Sequence, residues 1–300
     1  MKKILIFVLL GFLAFYTAGC QKTADKALET GDDFQWQVDQ FADLRILRYQ
    51  VPGFDELSSQ QKELIYYLSE AAVWGRDIVT DQNYKHNLTI RKTLDAIVEG
   101  YQGDRTAPEW NDFMVYTKRV WFSNGIHHHY STDKIMPEFS SDYFKSLIKG
   151  SEGIEFPLED GQSVGDFIAF LTPILFDPDV DAKKVSQDAS GDLVADSAVN
   201  FYAGVTQDEV EDYYARIMDE DDPTPVSYGL NSRLVKKDGT IMEEVYSLNG
   251  RYGPAIKKIV SYLEKAAQVA ENDQQQQVIK KLIEYYKTGD LETFDEYNIL

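Results

Sequence analysis

Apolar residues recur at helical spacing soon after Leu57, where Leu64, Leu68, Ala71, Ala72, Gly75 and Ile78 fall on one face. Ser58-Ser59-Gln60-Gln61 precedes this stripe as a capping box, in which Ser58 accepts a first-turn N–H and Gln61 reaches back. A second helix is expected after Asn87, with Leu88, Leu94, Ile97, Val98 and Tyr101 as its stripe. A third begins near Pro108, a residue suited to a first turn, and carries Phe113, Tyr116, Val120 and Trp121. It stops at the turn signal Ser123-Asn124-Gly125. The middle is less regular. Residues 161–176 hold one buried helix around Phe167, Ile168 and Leu171, closed by Pro173, and the acidic stretch 177–191 reads as an exposed loop. Thr206 and Glu209 form another capping box for a helix reaching Met218.

The period then shortens. Residues 226–236 and 241–248 alternate by about two around Lys237-Asp238-Gly239-Thr240, and Asp-Gly between such runs predicts a hairpin. Helices return near the end. Pro254 opens one lined by Ile256, Ile259, Val260, Leu263 and Ala267. Asn272 caps the next, which buries Val278, Ile279, Leu282, Ile283 and Tyr286 and stops at Gly289. The final pair Ile299-Leu300 is apolar with no polar tail, so further sequence is expected beyond it. The whole reads as helix-rich α+β, with an antiparallel sheet element in its second half and no repeat at 20–50 residues.

The N-terminus carries a different signal. Lys2 and Lys3 precede an apolar run over residues 4–16 and then Thr17-Ala18-Gly19-Cys20, the pattern of a secretory leader. The run is shorter than the roughly 20 residues needed to span a bilayer. Small residues before the one cysteine of the chain resemble a bacterial lipobox, although Thr17 stands where Leu is usual. The expected organisation is therefore a signal peptide over 1–19, a polar tether over 20–33 and the folded region over 34–300. The protein is expected to be exported and held at a membrane by a lipid on Cys20, with a cytoplasmic location as the alternative.

Composition narrows the remaining choices. A formal charge of −20 across 300 residues argues against a nucleic-acid partner, which requires a basic footprint. The 13% aromatic content, including 19 Tyr and 16 Phe, excludes disorder of the whole chain. The four histidines are His86, His127, His128 and His129, and none has the helical H-E-x-x-H spacing of a zinc peptidase. Three consecutive histidines cannot all face one metal, so a polar binding loop is the better reading of 127–129. No G-x-S-x-G elbow, P-loop or dinucleotide fingerprint occurs. The run Asp219-Glu220-Asp221-Asp222 reads as a solvated surface.

Five segments in register nevertheless carry a resemblance. They are YLSEAAVWG from Tyr67, WFSNGIHHHYSTDK from Trp121, NFYAGVTQDE from Asn200, SYGLNSR from Ser227 and GRYGPAIKKIV from Gly250. In order and spacing, from about Phe34 to Leu300, the chain resembles the dipeptidyl peptidase III family, most of all its Bacteroides-type members. The resemblance implies a zinc-dependent exopeptidase that removes dipeptides from peptide N-termini. It also implies a two-lobed architecture, to which this chain contributes a helix-rich lobe with an antiparallel sheet or small β-barrel. The family's H-E-x-x-G-H zinc motif is not in these 300 residues, so zinc is expected from other sequence and the chain alone is expected to be inactive. The family's cleft loop corresponds to residues 123–134, which implies substrate contact by Tyr130, with Ser131 and Asn124 beside it; the bland alternative is that Trp121, Phe122 and Tyr130 pack under the loop. From another class comes the alternative of an exported lipoprotein that binds peptides or proteins without catalysis.

Overall fold

The computed structural model describes residues 34–300 apart from Glu152 and Glu220; the leader, Cys20 and the tether lie outside the described residues. By itself, the first described segment is a small antiparallel hairpin of β1 (Gln37–Phe41) and β2 (Leu44–Leu47), turned at Ala42 with φ of 47°. The compact unit Pro52–Leu300 holds every other element.

Helix α1 (Ser59–Val73) opens with the expected box: Ser58 accepts from the Gln61 N–H, and the Gln61 side chain accepts from the Ser58 N–H. The helix does not run on to Ile78. It ends at Trp74, and α2 (Arg76–Asn83) starts afresh after Gly75, a residue with low helix propensity. Leu68 is 38% exposed, so part of the anticipated stripe faces solvent while Leu64 and Ala71 are buried.

Helices α3 (Asn87–Gly100), α4 (Pro108–Ser123), α5 (Ser141–Lys149) and α6 (Val164–Phe176) enclose an aromatic core that includes Tyr84, Trp110, Phe113, Tyr116, Phe139, Phe144 and Phe167. Trp121 was expected in that core but is 39% exposed. Its indole N–H donates to Asp95 Oδ1 at 2.7 Å, which gives its polar atom a partner at the surface. Helix α5 was not anticipated; Ser140 caps it and Phe144, Leu147 and Ile148 bury one face. Pro173 does not close α6, which continues to Phe176 with the proline inside it. The Thr172 hydroxyl donates to the Ile168 carbonyl at 2.7 Å, adding a bond where the proline supplies none.

The sheet contains β3 (Tyr202–Ala203), β4 (Ser232–Lys237) and β5 (Thr240–Val245), with β4 in the centre. The expected β4–β5 hairpin forms. Asp238 at φ 50° and Gly239 at φ 80° give the two left-handed positions that a tight two-residue turn requires. Its first strand begins at Ser232 and not at Val226, because Gly229 at φ 77° breaks the extended backbone before it. The parallel partner β3 is two residues long and gave no periodic signal. Helix α7 (Gln207–Ile217) carries the Thr206–Glu209 capping box.

Helices α8 (Gly253–Gln268), α9 (Asp273–Thr288) and α10 (Leu291–Ile299) complete the unit, the last unanticipated. Helix α1 packs on α8, and α8 on α9, around Leu64, Ile256, Ile259, Val260, Leu263, Ile279 and Ile283. A polar knot ties α2 to the start of α8. Asp81 accepts Arg251 Nη2 and the Tyr252 hydroxyl, each at 2.6 Å, and Asn200 Nδ2 at 3.1 Å. The architecture is helix-rich α+β, as the periodicities indicated. Among the described residues, no helix is long and apolar enough to cross a membrane.

Candidate functional site

The stretch 123–134 leaves the end of α4 through a left-handed cap. Asn124 adopts φ 51° and ψ 43°, and the Gly125 N–H donates to the Val120 carbonyl at 3.0 Å. Gly125 itself has φ 147°, and a Cβ there would lie 2.0 Å from Asn87 Nδ2, so the close approach excludes any side chain. Asn87 is the bracket. Its Nδ2 donates to the carbonyls of Thr80 at 3.1 Å and Asn124 at 3.4 Å, and its Oδ1 accepts the Ile126 N–H at 3.1 Å. In sequence, Asn87 signals only a helix start, since Asn before a helix is also a common cap.

The base of the loop is buried. Ile126 is inaccessible, and its carbonyl accepts the Ile135 N–H at 2.8 Å. His127 is also buried, with Nε2 2.7 Å from the Asp181 carbonyl. A carbonyl only accepts, so Nε2 carries the proton and Nδ1 is a lone pair with no partner among the described residues. Burial holds the His127 pKa below its ordinary value, and does the same for His86. The Tyr84 hydroxyl donates to Asp181 Oδ2 at 2.5 Å, and burial followed by this hydrogen bond raises its pKa. Lys134 Nζ reaches the carbonyls of Asp177 at 2.6 Å and Val180 at 2.7 Å, which fastens the acidic 177–188 segment beside the loop.

The tip differs. His128 Nδ1 accepts the N–H groups of Tyr130 at 3.2 Å and Ser131 at 3.1 Å, which curls the backbone outward. The His128 and His129 rings stack with centroids 4.4 Å apart, and His129 lies 4.3 Å from the Tyr130 ring. Tyr130 is 84% exposed. It does not pack beneath the loop. Trp121 and Phe122 are partly exposed as well, and the Phe122 ring meets the His129 ring edge-on.

Two cavities flank this segment. The first, of about 970 Å³, is bounded by Asn124 and Trp121 with Trp74 and Lys258. The second, of about 910 Å³, is lined by Tyr130 and Ser131 together with Asp179, Asp181, Lys183 and Asp196. The structure therefore brings Tyr130 and Ser131 together and places Asn124 at a different opening. The 177–188 wall of the second cavity falls within the expected exposed loop, and no local pattern in it marks its pairing with the 123–134 segment.

These residues do not form a metal centre. No group of three His, Cys, Asp or Glu side chains among the described residues is placed to hold an ion. The ring nitrogens His127 Nε2 and His128 Nδ1 are already engaged with backbone groups.

Comparison with known proteins shows what the chain is similar to. The model of peptidase family M49 matches residues 197–300. The chain is related to these peptidases, and the resemblance drawn from its sequence segments is borne out. Dipeptidyl peptidase 3 from mouse is 22% identical over 270 residues, and the human protein is 24% identical over 271. Each alignment covers 80% of this chain and 37% of the relative. The chain thus spans a little over a third of the length of these curated relatives. A solved structure titled DPP III from Caldithrix abyssi aligns over 80% of this chain and 33% of its own, with 18% identity and a TM-score of 0.47.

Proposed function

We propose that the chain forms part of a zinc-dependent dipeptidyl peptidase and that its 123–134 loop contacts the peptide substrate. The relatives named dipeptidyl peptidase 3 support the activity class. The exposure of Tyr130, on a loop whose base is fixed by Asn87 and His127, carries the reading of the site. A ring held on a rigid base packs on a peptide side chain at little entropic cost, and its hydroxyl reaches the peptide backbone. Ser131 supplies a second hydroxyl beside it in the same cavity, and Asn124 bounds the neighbouring one.

Catalysis requires zinc ligands, an open coordination position and a base. The 300 residues contain no H-E-x-x-G-H, so the zinc belongs to a motif outside them. The chain alone is expected to leave a dipeptidyl-naphthylamide uncleaved, with or without added zinc. In a gene product that supplies the motif, Tyr130→Ala is expected to lower kcat/KM by about ten- to a hundred-fold, the loss of roughly 1–3 kcal/mol of contact. Bound zinc and melting temperature should stay as in wild type. A large fall in melting temperature with unaltered kinetics would defeat the substrate role.

A further inference from the structure

The groove between Trp74 and Trp121, which the peptidase reading uses only at its Asn124 rim, has two indoles and several charges that this reading leaves without a role. Its walls come from the end of α1, the start of α2, the faces of α3 and α4, and the first turn of α8. Trp74 is 41% exposed, and Trp121 is exposed to a similar degree. Two half-exposed indoles facing a concavity of about 970 Å³ are a large apolar surface left in contact with water. Trp and Arg together are also the side chains that most often anchor protein partners.

The charges in the groove are unequal. It contains Arg76, Arg91 and Lys258 against Asp77 and Asp95. Asp77 Oδ1 pairs with Arg91 Nη2 at 2.6 Å, whereas Asp95 Oδ1 accepts the neutral Trp121 indole N–H at 2.7 Å and keeps its charge, so the groove has a net excess of one positive charge. Arg76 and Lys258 have no carboxylate partner among the described residues; Lys258 Nζ lies 5.5 Å from the centroid of the Trp74 ring. The first turn of α8, which forms one wall, carries no acidic side chain. In a chain of net charge −20, two cations without acid partners beside two indoles select an anionic occupant. We infer that this groove docks a peptide segment in which a carboxylate stands next to large apolar side chains. The indoles take the apolar part and Arg76 with Lys258 take the carboxylate. Nucleic acid does not fit, since two cations cannot offset the repulsion of a strongly acidic protein for a phosphate chain.

The inference is separate from the substrate role of Tyr130: Asn124 of the 123–134 loop touches the rim of this groove, but the charged residues varied in the test lie outside that loop. The probe is a capped peptide, acetyl-Glu-Asp-Phe-Leu-Glu-amide, titrated into the chain while tryptophan fluorescence is followed. Saturable binding is expected with a dissociation constant between about 10 μM and 1 mM. The analogue with Gln and Asn in place of the acids should bind at least tenfold more weakly. The charge-reversed double variant Arg76→Glu/Lys258→Glu should lose binding to the same extent while keeping the wild-type circular dichroism spectrum. If that variant fails to fold, the neutral pair Arg76→Gln/Lys258→Gln replaces it, with a several-fold loss expected. Tyr130→Ala should bind the probe as wild type does; loss of binding there would move the occupant to the neighbouring cavity and overturn the inference. Equal binding of the neutral analogue, unchanged binding by the charge variants, or no saturation by several millimolar would also overturn it. Self-association of the free chain abolished by Arg76→Glu would name a second copy as the occupant instead.

Discussion

The two large cores of the Pro52–Leu300 unit solve the same problem with different side chains. Around α1, α8 and α9 the buried set is aliphatic, with Leu64, Ile256, Ile259, Val260, Leu263, Ile279 and Ile283 meeting along helix seams. Around α3 to α6, seven of the eighteen buried residues carry rings, and these meet mostly edge to face or tilted, as Phe113 does with Phe139 at 5.6 Å and Tyr116 does with Phe139 at 5.8 Å. Aliphatic stripes suit long helices that pack along their length. Rings fill the wider junction where helices α3 to α6 and irregular segments converge, and each ring has a defined edge and face. The candidate loop rises from the aromatic core. Tyr84, wholly buried there, also hydrogen-bonds Asp181 beside His127, so the ring that fills the core also helps to fix the base of the loop.

The largest expected effect tests whether the aromatic junction is the less forgiving of the two. Phe113→Ala should cost about 3–5 kcal/mol, the loss usual for a buried ring, whereas Ile259→Val in the aliphatic seam should cost about 0.5–1.5 kcal/mol. Urea denaturation followed by circular dichroism measures both. Equal costs would mean that the junction can collapse around the void. Next in size is the polar knot between α2 and the start of α8. Asp81→Asn should cost about 2 kcal/mol, below the 3–5 kcal/mol of a fully buried pair because the Arg251 side chain still reaches solvent. The variant's transition should also broaden if the knot is what makes the two cores melt together; a wild-type midpoint would show that it contributes nothing.

The smallest expected effect is a pH dependence confined to the aromatic side. His127 and His86 are neutral in the fold because burial holds their pKa values down, while the unfolded chain takes up protons near the ordinary histidine value of about 6.5. Their contribution is fully present above that value and is lost as pH falls through the lower folded values. Melting temperature should therefore drop between pH 7 and pH 5, and the slope should shrink in His127→Gln. The physical reason is local: a proton added to Nδ1 finds no acceptor. An unchanged slope in the variant would assign the dependence elsewhere.

The same contrast explains how much was readable from the chain. All five residues expected to line the helix after Pro254 are buried, because a seam repeats one spacing along one element. The aromatic side was read only in part. Trp121 and Tyr130 belong to the same residue class as Trp110 and Tyr116, yet the first two face solvent and the last two are buried. Only the arrangement of neighbours separates them. Helix α5 is short, and its Ser140 cap was indistinguishable from a loop. Pro173 suggested an end to α6 that the surrounding contacts override. The bond from His127 to Asp181 spans 54 positions, a separation over which no local pattern carries information. The family resemblance singled out Tyr130; the structure shows a projecting ring above a buried base.

The contact between Asn87 and Gly125 has a consequence for how such a protein can diverge. Nothing fits between them, and the amide of Asn87 serves three backbone groups at once. A side chain at Gly125 meets both Asn87 and an unfavourable backbone angle, and a change at Asn87 leaves the carbonyls of Thr80 and Asn124 and the Ile126 N–H without this partner. The side chains of Tyr130 and Ser131 carry no such debt: neither bears on Asn87 or Gly125, and Tyr130 projects into solvent. Point mutation can therefore retune what the tip presents one residue at a time, while the base beneath it tolerates little change at either Asn87 or Gly125.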